Sequence, residues 1–237
     1  MKTSNIHSIV SQESAGKIAV VIGATGLIGQ FLVAKLANSP HFKKVITITR
    51  RPVNYESVKV ENHVVNFDEL SKYAHLFNGD VLFSCLGTTR KQAGSIAAQR
   101  VIDLDYQIAA AKLACDNTIA HYALVSSSGA NSQSRSAYLR MKGELDDAIK
   151  AMPFKRISIF KPSVLLGSRE HFRLGETIAS VLLPLICRLP GLTRYRPILG
   201  KEVAESMLFV SQCTGEGVTE FVLDDVFIDR ITELTGD

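Results

Sequence analysis

The chain is built from two alternating hydrophobic rhythms. Lys17-Ile18-Ala19-Val20-Val21-Ile22 is apolar at successive positions, the pattern of a strand buried on both faces. Residues 30–39 then follow a helical pattern that Pro40 stops. β-branched or apolar runs return at 45–49, 64–67, 80–87, 122–127 and 156–160. Between them lie helical patterns at about 69–77, 96–117 and 136–152, the last ended by Pro153. Strands alternating with helices predict right-handed βαβ units and a parallel sheet. Beyond Gly167 the rhythm is mostly helical (176–189 and 202–212), with a short strand near 219–223. The predicted class is α/β, a doubly wound parallel sheet with a small, mostly helical C-terminal lobe. Residues 1–16 read as a loose tail, 17–237 as one domain, and about 168–237 as the lobe.

Composition narrows this reading without redirecting it. In 237 residues, 46% are hydrophobic and 21% charged, which excludes a disordered chain or a fibre. The net charge of +4 is spread without a block of five like charges, so nucleic acid is not an expected partner. Cys85, Cys115, Cys187 and Cys213 form no CxxC pair and read as free thiols in a reducing compartment. Cys85 itself reads as an inert strand cysteine. The six histidines show no ligand spacing, so no metal is expected. The most apolar stretch, 178–189, is too short for a bilayer span and contains Pro184 and Arg188. The first sixteen residues lack a signal-peptide core. A cytoplasmic protein is expected.

Chemistry concentrates at strand ends. Gly23-Ala24-Thr25-Gly26-Leu27-Ile28-Gly29 joins the first strand to the first helix. Such a loop turns backbone N–H groups and a helix N-terminus toward an anion, and its glycines admit a pyrophosphate. A site preferring NAD places an acid at the end of the second strand for the ribose hydroxyls. Here stand Thr49-Arg50-Arg51, whose guanidinium groups suit a 2′-phosphate. NADP(H) is therefore favoured over NAD(H).

Tyr138 and Lys142 are four apart on a helix and share a face. A lysine cation favours the phenolate of a neighbouring tyrosine, which fits that tyrosine for proton transfer. A second Y-x-x-x-K, Tyr55 to Lys59, has no serine-bearing strand before it. Tyr138 instead follows Ser126-Ser127-Ser128 at the end of the fifth strand, where α/β sites lie. Asp146-Asp147 reads as a solvated helix face.

These features together resemble the short-chain dehydrogenase/reductase superfamily. The phrases CLGTTRKQAG (85–94), SSSGAN (126–131), YLRMKGELD (138–146) and FKPSVLLG (160–167) resemble the HIV Tat-interacting oxidoreductase family within it, over roughly 17–173. The resemblance implies a Rossmann-type fold and an NADPH site. It implies Gly23, Thr25, Gly26, Leu27, Ile28 and Gly29 at the pyrophosphate, and Arg50 and Arg51 at the 2′-phosphate. Asn66 and Phe67 would flank adenine, and Leu86 and Gly87 would lie along the cofactor. Pro162 and Leu165 would contact the nicotinamide end, and Arg173 would reach the phosphates. Tyr138 would exchange the proton, Lys142 would bind the ribose, and Ser127, with Ser128 second, would orient a substrate oxygen.

The leading expectation is an NADPH-dependent oxidoreductase acting on a small carbonyl or alcohol. The alternative is a non-catalytic NADPH-binding regulator that acts through a protein partner. A sugar-nucleotide epimerase fits less well, because only about 65 residues follow Arg173. Oligomeric state is open at this level.

Overall fold

A computed structural model describes residues 16–163, 165–166, 197–229 and 231. Its strands are β1 (Lys17–Ile22), β2 (Phe42–Thr49), β3 (Val60–Val64), β4 (Val81–Ser84), β5 (His121–Val125), β6 (Arg156–Lys161), β7 (Leu165–Leu166), β8 (Ile198–Leu199) and β9 (Gly217–Val222). Seven of them form one sheet in the order β3-β2-β1-β4-β5-β6-β9, parallel throughout. The chain winds outward from β1 to β3, then returns to the other side of β1 as β4. That reversal opens a crevice at the carboxyl ends of β1 and β4, where ligands of open α/β sheets bind. β7 and β8 form a separate parallel pair.

Consecutive residues of each strand face opposite sides of the sheet, so an all-apolar strand feeds two cores. Val20 and Ile22 of β1 pack toward α4 (Tyr106–Asp116) and α5 (Ala137–Lys150), with Ala110, Ala114, Leu145 and Ile149. Ala19 and Val21 pack toward α1 (Gly29–Asn38) and α6 (Gly200–Gln212), with Leu32, Leu36, Val203 and Met207. The result is three layers, helix on sheet on helix. Residues 200–222, assigned by sequence to a C-terminal lobe, thus supply α6 to one helical layer and β9 to the sheet itself.

Three local expectations are corrected. The third strand is Val60–Val64, earlier than 64–67. Val65 and Phe67 are buried because the chain there turns inward into a 3-10 segment, Phe67–Leu76. The fourth strand ends at Ser84, which frees residues 85–89 as a loop. The long helix at 96–117 is interrupted: α3 (Ile96–Arg100) passes through a π-helical turn, Val101–Asp105, into α4. A short α2 (Arg90–Ala93) precedes it. The expected helix at 176–189, the apolar run within it, Arg173 and residues 1–15 lie outside the described residues. No described helix is long and apolar enough to cross a membrane.

Candidate active site

The crevice holds two adjoining pockets. The larger, about 390 Å³, is lined by Gly26, Leu27 and Ile28 on one side and by Ser126, Tyr138, Lys142 and Leu165 on the other. The smaller, about 260 Å³, is lined by Gly23, Thr25, Thr49, Arg50 and Phe67. Gly26, Cys85, Leu86, Gly87 and Thr88 border both, so the two form one groove across the β1 and β4 ends.

The glycine loop forms the near wall. Gly23 has φ +77°, and a Cβ there would lie 2.4 Å from the Cys85 carbonyl carbon. Only glycine fits that position. Gly26 N–H donates to Gly23 O at 3.0 Å, closing the turn. The first turn of α1 has no side-chain cap and no acid. Its positive dipole end therefore borders the groove as an anion seat, although the Gln30 N–H is already taken by Gly26 O at 3.1 Å.

The 85–89 loop forms the floor and is held from α3, the π-turn and α4. Asp103 Oδ1 accepts from Thr88 N–H at 2.7 Å, and Gln99 Nε2 donates to Thr88 O at 3.0 Å. Gln107 accepts from Ser84 Oγ at 2.6 Å and donates to Leu86 O at 3.5 Å. Gln99, Asp103 and Gln107 are all buried. Sequence reading missed them. Their signal was the four-residue spacing of three polar residues, Gln99, Asp103 and Gln107, in an Ala-rich helical stretch. Cys85 borders the floor, and burial pushes its thiol up to about 12, against a smaller opposing pull from Lys142. A thiol held neutral is a poor nucleophile.

Helix α5 supplies the far wall. Ser136 caps it, accepting from Leu139 N–H. Tyr138, in the first turn, is 40% exposed, while Lys142 one turn later is 3% exposed. Lys142 Nζ donates to Val125 O at 3.2 Å, which leaves two of its three donors for other partners. Gly143 lets α5 approach the serine loop, since a Cβ there would lie 2.1 Å from Ser132 N. Of the three serines after β5, Ser126 borders the cleft. Ser127 donates its hydroxyl to Ser128 O at 3.3 Å, and Ser128 N–H is fixed by Pro162 O at 3.0 Å. Ser126 comes first because β5 ends at Val125. Its hydroxyl is buried without a well-formed hydrogen bond and lies beside the carboxyl of Asp146.

The remaining expected residues divide. Arg50 and Phe67 border the smaller pocket, and the Phe67 ring lies 5.4 Å from that of Tyr106. Tyr106 donates to Asp68, and its hydroxyl is pushed up to about 12 by burial first and by Asp68 second, with Arg50 pulling the other way. Arg51 is exposed, and its carbonyl accepts from Thr49 Oγ1 at 2.8 Å. Asn66 is exposed and caps the 3-10 segment, accepting from Asp68 N–H at 3.1 Å. Neither Arg51 nor Asn66 borders the two pockets. Tyr55 and Lys59 lie in the β2–β3 connection, where Lys59 Nζ donates to Ser39 O at 3.0 Å. Asp146, expected on a solvated face, is 1% exposed. Its place one turn after Lys142 puts it on the inner face of α5. Among the described residues no cluster of three or more His, Cys, Asp or Glu could hold a metal ion.

The groove fits a dinucleotide. The uncapped helix end and Gly23 suit a pyrophosphate, and the buried Ser126 hydroxyl has a bond left to make.

Comparison with known proteins agrees. Residues 19–149 match the NAD dependent epimerase/dehydratase family. Protein HTATIP2 of Rattus norvegicus is 40% identical over 167 residues, 69% of this chain and 69% of that protein. The mitochondrial protein FMP52 of Eremothecium gossypii is 36% identical over 192 residues, 79% of this chain and 85% of that protein. In three dimensions the chain is similar to the Bordetella bronchiseptica enzyme WbmH in complex with NAD+, with a TM-score of 0.65. That likeness is at 12% identity, covers 87% of this chain and 76% of that one, and speaks for the fold alone. With its parallel sheet, glycine loop and paired pockets, the chain belongs to the NAD dependent epimerase/dehydratase family, as an atypical NAD(P)-binding short-chain dehydrogenase/reductase resembling HTATIP2.

Proposed function

We propose that this protein is an NADPH-dependent oxidoreductase that interconverts a small carbonyl compound and its alcohol. The observation that carries the reading is one cleft bordered by Tyr138, Lys142, Ser126 and the glycine loop. Gly23, Thr25, Gly26, Leu27, Ile28 and Gly29 would hold the pyrophosphate, and Leu86 and Gly87 would lie under the nicotinamide half. Arg50 would grip the 2′-phosphate, with Phe67 beside the adenine. Bound NADPH would supply the hydride for the carbonyl carbon. Tyr138 donates its hydroxyl proton to the oxygen of the carbonyl. The Lys142 cation, steadied by Val125 O, favours the phenolate left behind and offers its remaining donors to the ribose. Ser126 takes the serine role in place of Ser127, because its hydroxyl is the one at the cleft wall.

Calorimetric titration of the purified chain, freed of co-purified nucleotide, tests the binding half. NADPH is expected to bind at least about tenfold tighter than NADH, equivalent to about 1.4 kcal/mol. Stopped turnover tests the chemistry. Tyr138→Phe and Lys142→Ala should each abolish NADPH oxidation with an aldehyde that the parent reduces. Tight NADPH binding with no oxidation by any carbonyl offered would instead favour the regulator. Residence in the cytoplasm is part of the proposal. The fungal relatives' names place those proteins in mitochondria, and imaging of the tagged full chain decides between the two.

A further inference from the structure

The larger pocket has three charged residues on its wall, Arg90, Asp103 and Lys142. Two of them are already committed. Asp103 accepts from Thr88 N–H and from Gln99. Lys142 is buried, donates to Val125 O, and has the cofactor ribose as its other proposed partner. Arg90 is exposed, and none of its guanidinium N–H groups meets a described residue. By contrast, Arg100 of α3 and Arg140 of α5 both pair with Glu144.

The backbone that carries Arg90 is held from both sides. Thr88, two residues before it, is fixed to the floor by Asp103 at 2.7 Å and by Gln99 at 3.0 Å. Thr89 caps the single turn of α2: its Oγ1 accepts from Gln92 N–H at 3.2 Å, and Gln92 Oε1 accepts from Thr89 N–H at 3.3 Å. Gly94, with φ +89°, closes the turn by donating its N–H to Arg90 O at 2.9 Å. An unpaired cation at a surface contributes little to stability. On a fixed stem it is suited to a ligand, because little backbone order remains to be lost on binding.

We propose that Arg90 is a specificity-determining residue that binds a carboxylate on the substrate, so that the reaction takes a carbonyl compound bearing an acid group. The proposal rests on the oxidoreductase reading and deepens it. A planar guanidinium matches a carboxylate through two parallel hydrogen bonds. One unpaired cation also balances one carboxylate, whereas a phosphate monoester carries about −1.5 to −2 near neutral pH. Arg90 borders the pocket that holds Tyr138 and Ser126, and it does not border the smaller pocket beside Arg50. Its anion is therefore on the substrate side of the groove. With the acid end on Arg90, the carbonyl end is left for Tyr138 and Ser126, whose hydroxyls donate to its oxygen.

The first test needs no turnover. Saturation-transfer NMR follows 4-hydroxybutyrate and its uncharged amide, 4-hydroxybutyramide, on the full chain with and without NADPH. The acid should bind at least about tenfold tighter than the amide, as for one charge-assisted contact. Arg90→Ala should bring that ratio below about threefold. Equal affinities in the parent would overturn the proposal. The kinetic arm offers NADPH with succinic semialdehyde or with its neutral ester, methyl 4-oxobutanoate. Arg90→Ala should lower kcat/KM for the acid, chiefly through KM, at least about tenfold more than for the ester. A loss of NADPH affinity of about tenfold or more in Arg90→Ala would overturn the proposal and assign the arginine to the cofactor phosphates. The two ideas fail separately. Reduction of both aldehydes at equal kcat/KM would overturn the carboxylate site alone. An Arg90-dependent preference for the acid in a chain that reduces neither aldehyde would overturn the oxidoreductase reading alone.

Discussion

Gly29 rests on Gly23 so closely that a Cβ on Gly29 would lie 2.1 Å from the Gly23 carbonyl oxygen. Both contacting atoms on the Gly23 side are backbone, so nothing flexible can yield. Gly29→Ala should force the first helix away from β1, costing roughly 2–3 kcal/mol and lowering Tm by about 4–12 °C. NADPH affinity should fall at least about tenfold. Gly87→Ala is the matched control. A Cβ there meets nothing within 4 Å, so its Tm should stay with the parent. Differential scanning calorimetry of the two variants checks the contrast.

The neighbouring arginines should behave differently. Arg50 borders the smaller pocket, while Arg51 is exposed outside it. Arg50→Ala should erase most of the NADPH preference and leave NADH binding unchanged. Arg51→Ala should change the ratio less than about threefold, as for an exposed charge in water. Isothermal titration with both nucleotides reads this directly. Equal losses in the two variants would mean that both guanidinium groups reach the phosphate.

Asp103 holds the cleft floor through Thr88. The Asp103 carboxyl is buried and accepts the Thr88 N–H in a part-buried hydrogen bond, and Asp103→Ala also strips a partner from Gln99. The expected loss of stability is about 1.5–3 kcal/mol. Hydrogen exchange at Thr88 N–H should speed up more than exchange at β1 amides. A uniform acceleration across the sheet would show that the effect is global rather than a loosened floor.

Acid sensitivity should trace to the opposite end of the sheet. His121 is buried, with Nε2 3.0 Å from Ser158 Oγ. Burial first, then the Arg156 and Lys17 cations, depress its pKa from 6.5 to about 3. Above pH 6.5 both folded and unfolded chains carry it neutral. Below that value the unfolded chain gains a proton that the folded chain refuses, so stability falls as pH drops toward 3. The slope from this one group is about 1.4 kcal/mol per pH unit. Urea denaturation at pH 7, 6, 5 and 4 should show it, and His121→Gln should flatten it.

Legibility in the sequence followed the strength of the hydrophobic signal. β1, β2, β5 and β6 are buried on both faces, and their continuous apolar runs placed them within a few residues. β3 is an edge strand, Val-Glu-Asn-His-Val, with each residue at least partly exposed. Its polar content hid it, and the buried Val65 and Phe67 just beyond drew the assignment forward. The π-turn left no compositional mark, because its residues suit an ordinary helix. The glycine loop and the Tyr138/Lys142 pair were readable because each chemistry needs a fixed spacing. That Ser126 rather than Ser127 borders the cleft was not, since that depends on where β5 leaves the sheet. Asp146 was misjudged because two adjacent acids look solvated until the phase of the helix relative to Lys142 is considered.

That π-turn sets the height of the cleft floor. An α-helix advances about 100° per residue, so side chains four apart drift by about 40°. Gln99, Asp103 and Gln107 would fan across about 80° in an unbroken α-helix. Yet all three serve one short stretch, Ser84 to Thr88. The wider turn at Val101–Asp105 lies among them, where it can take back rotation. Loss of one residue there, such as Asp105, would swing Asp103 through about 100° relative to Gln107. The amide of Thr88 would lose its acceptor although no cleft-lining side chain had changed. Single-codon insertions and deletions in this helix are thus a route by which the lineage can reshape its ligand groove while keeping every motif intact.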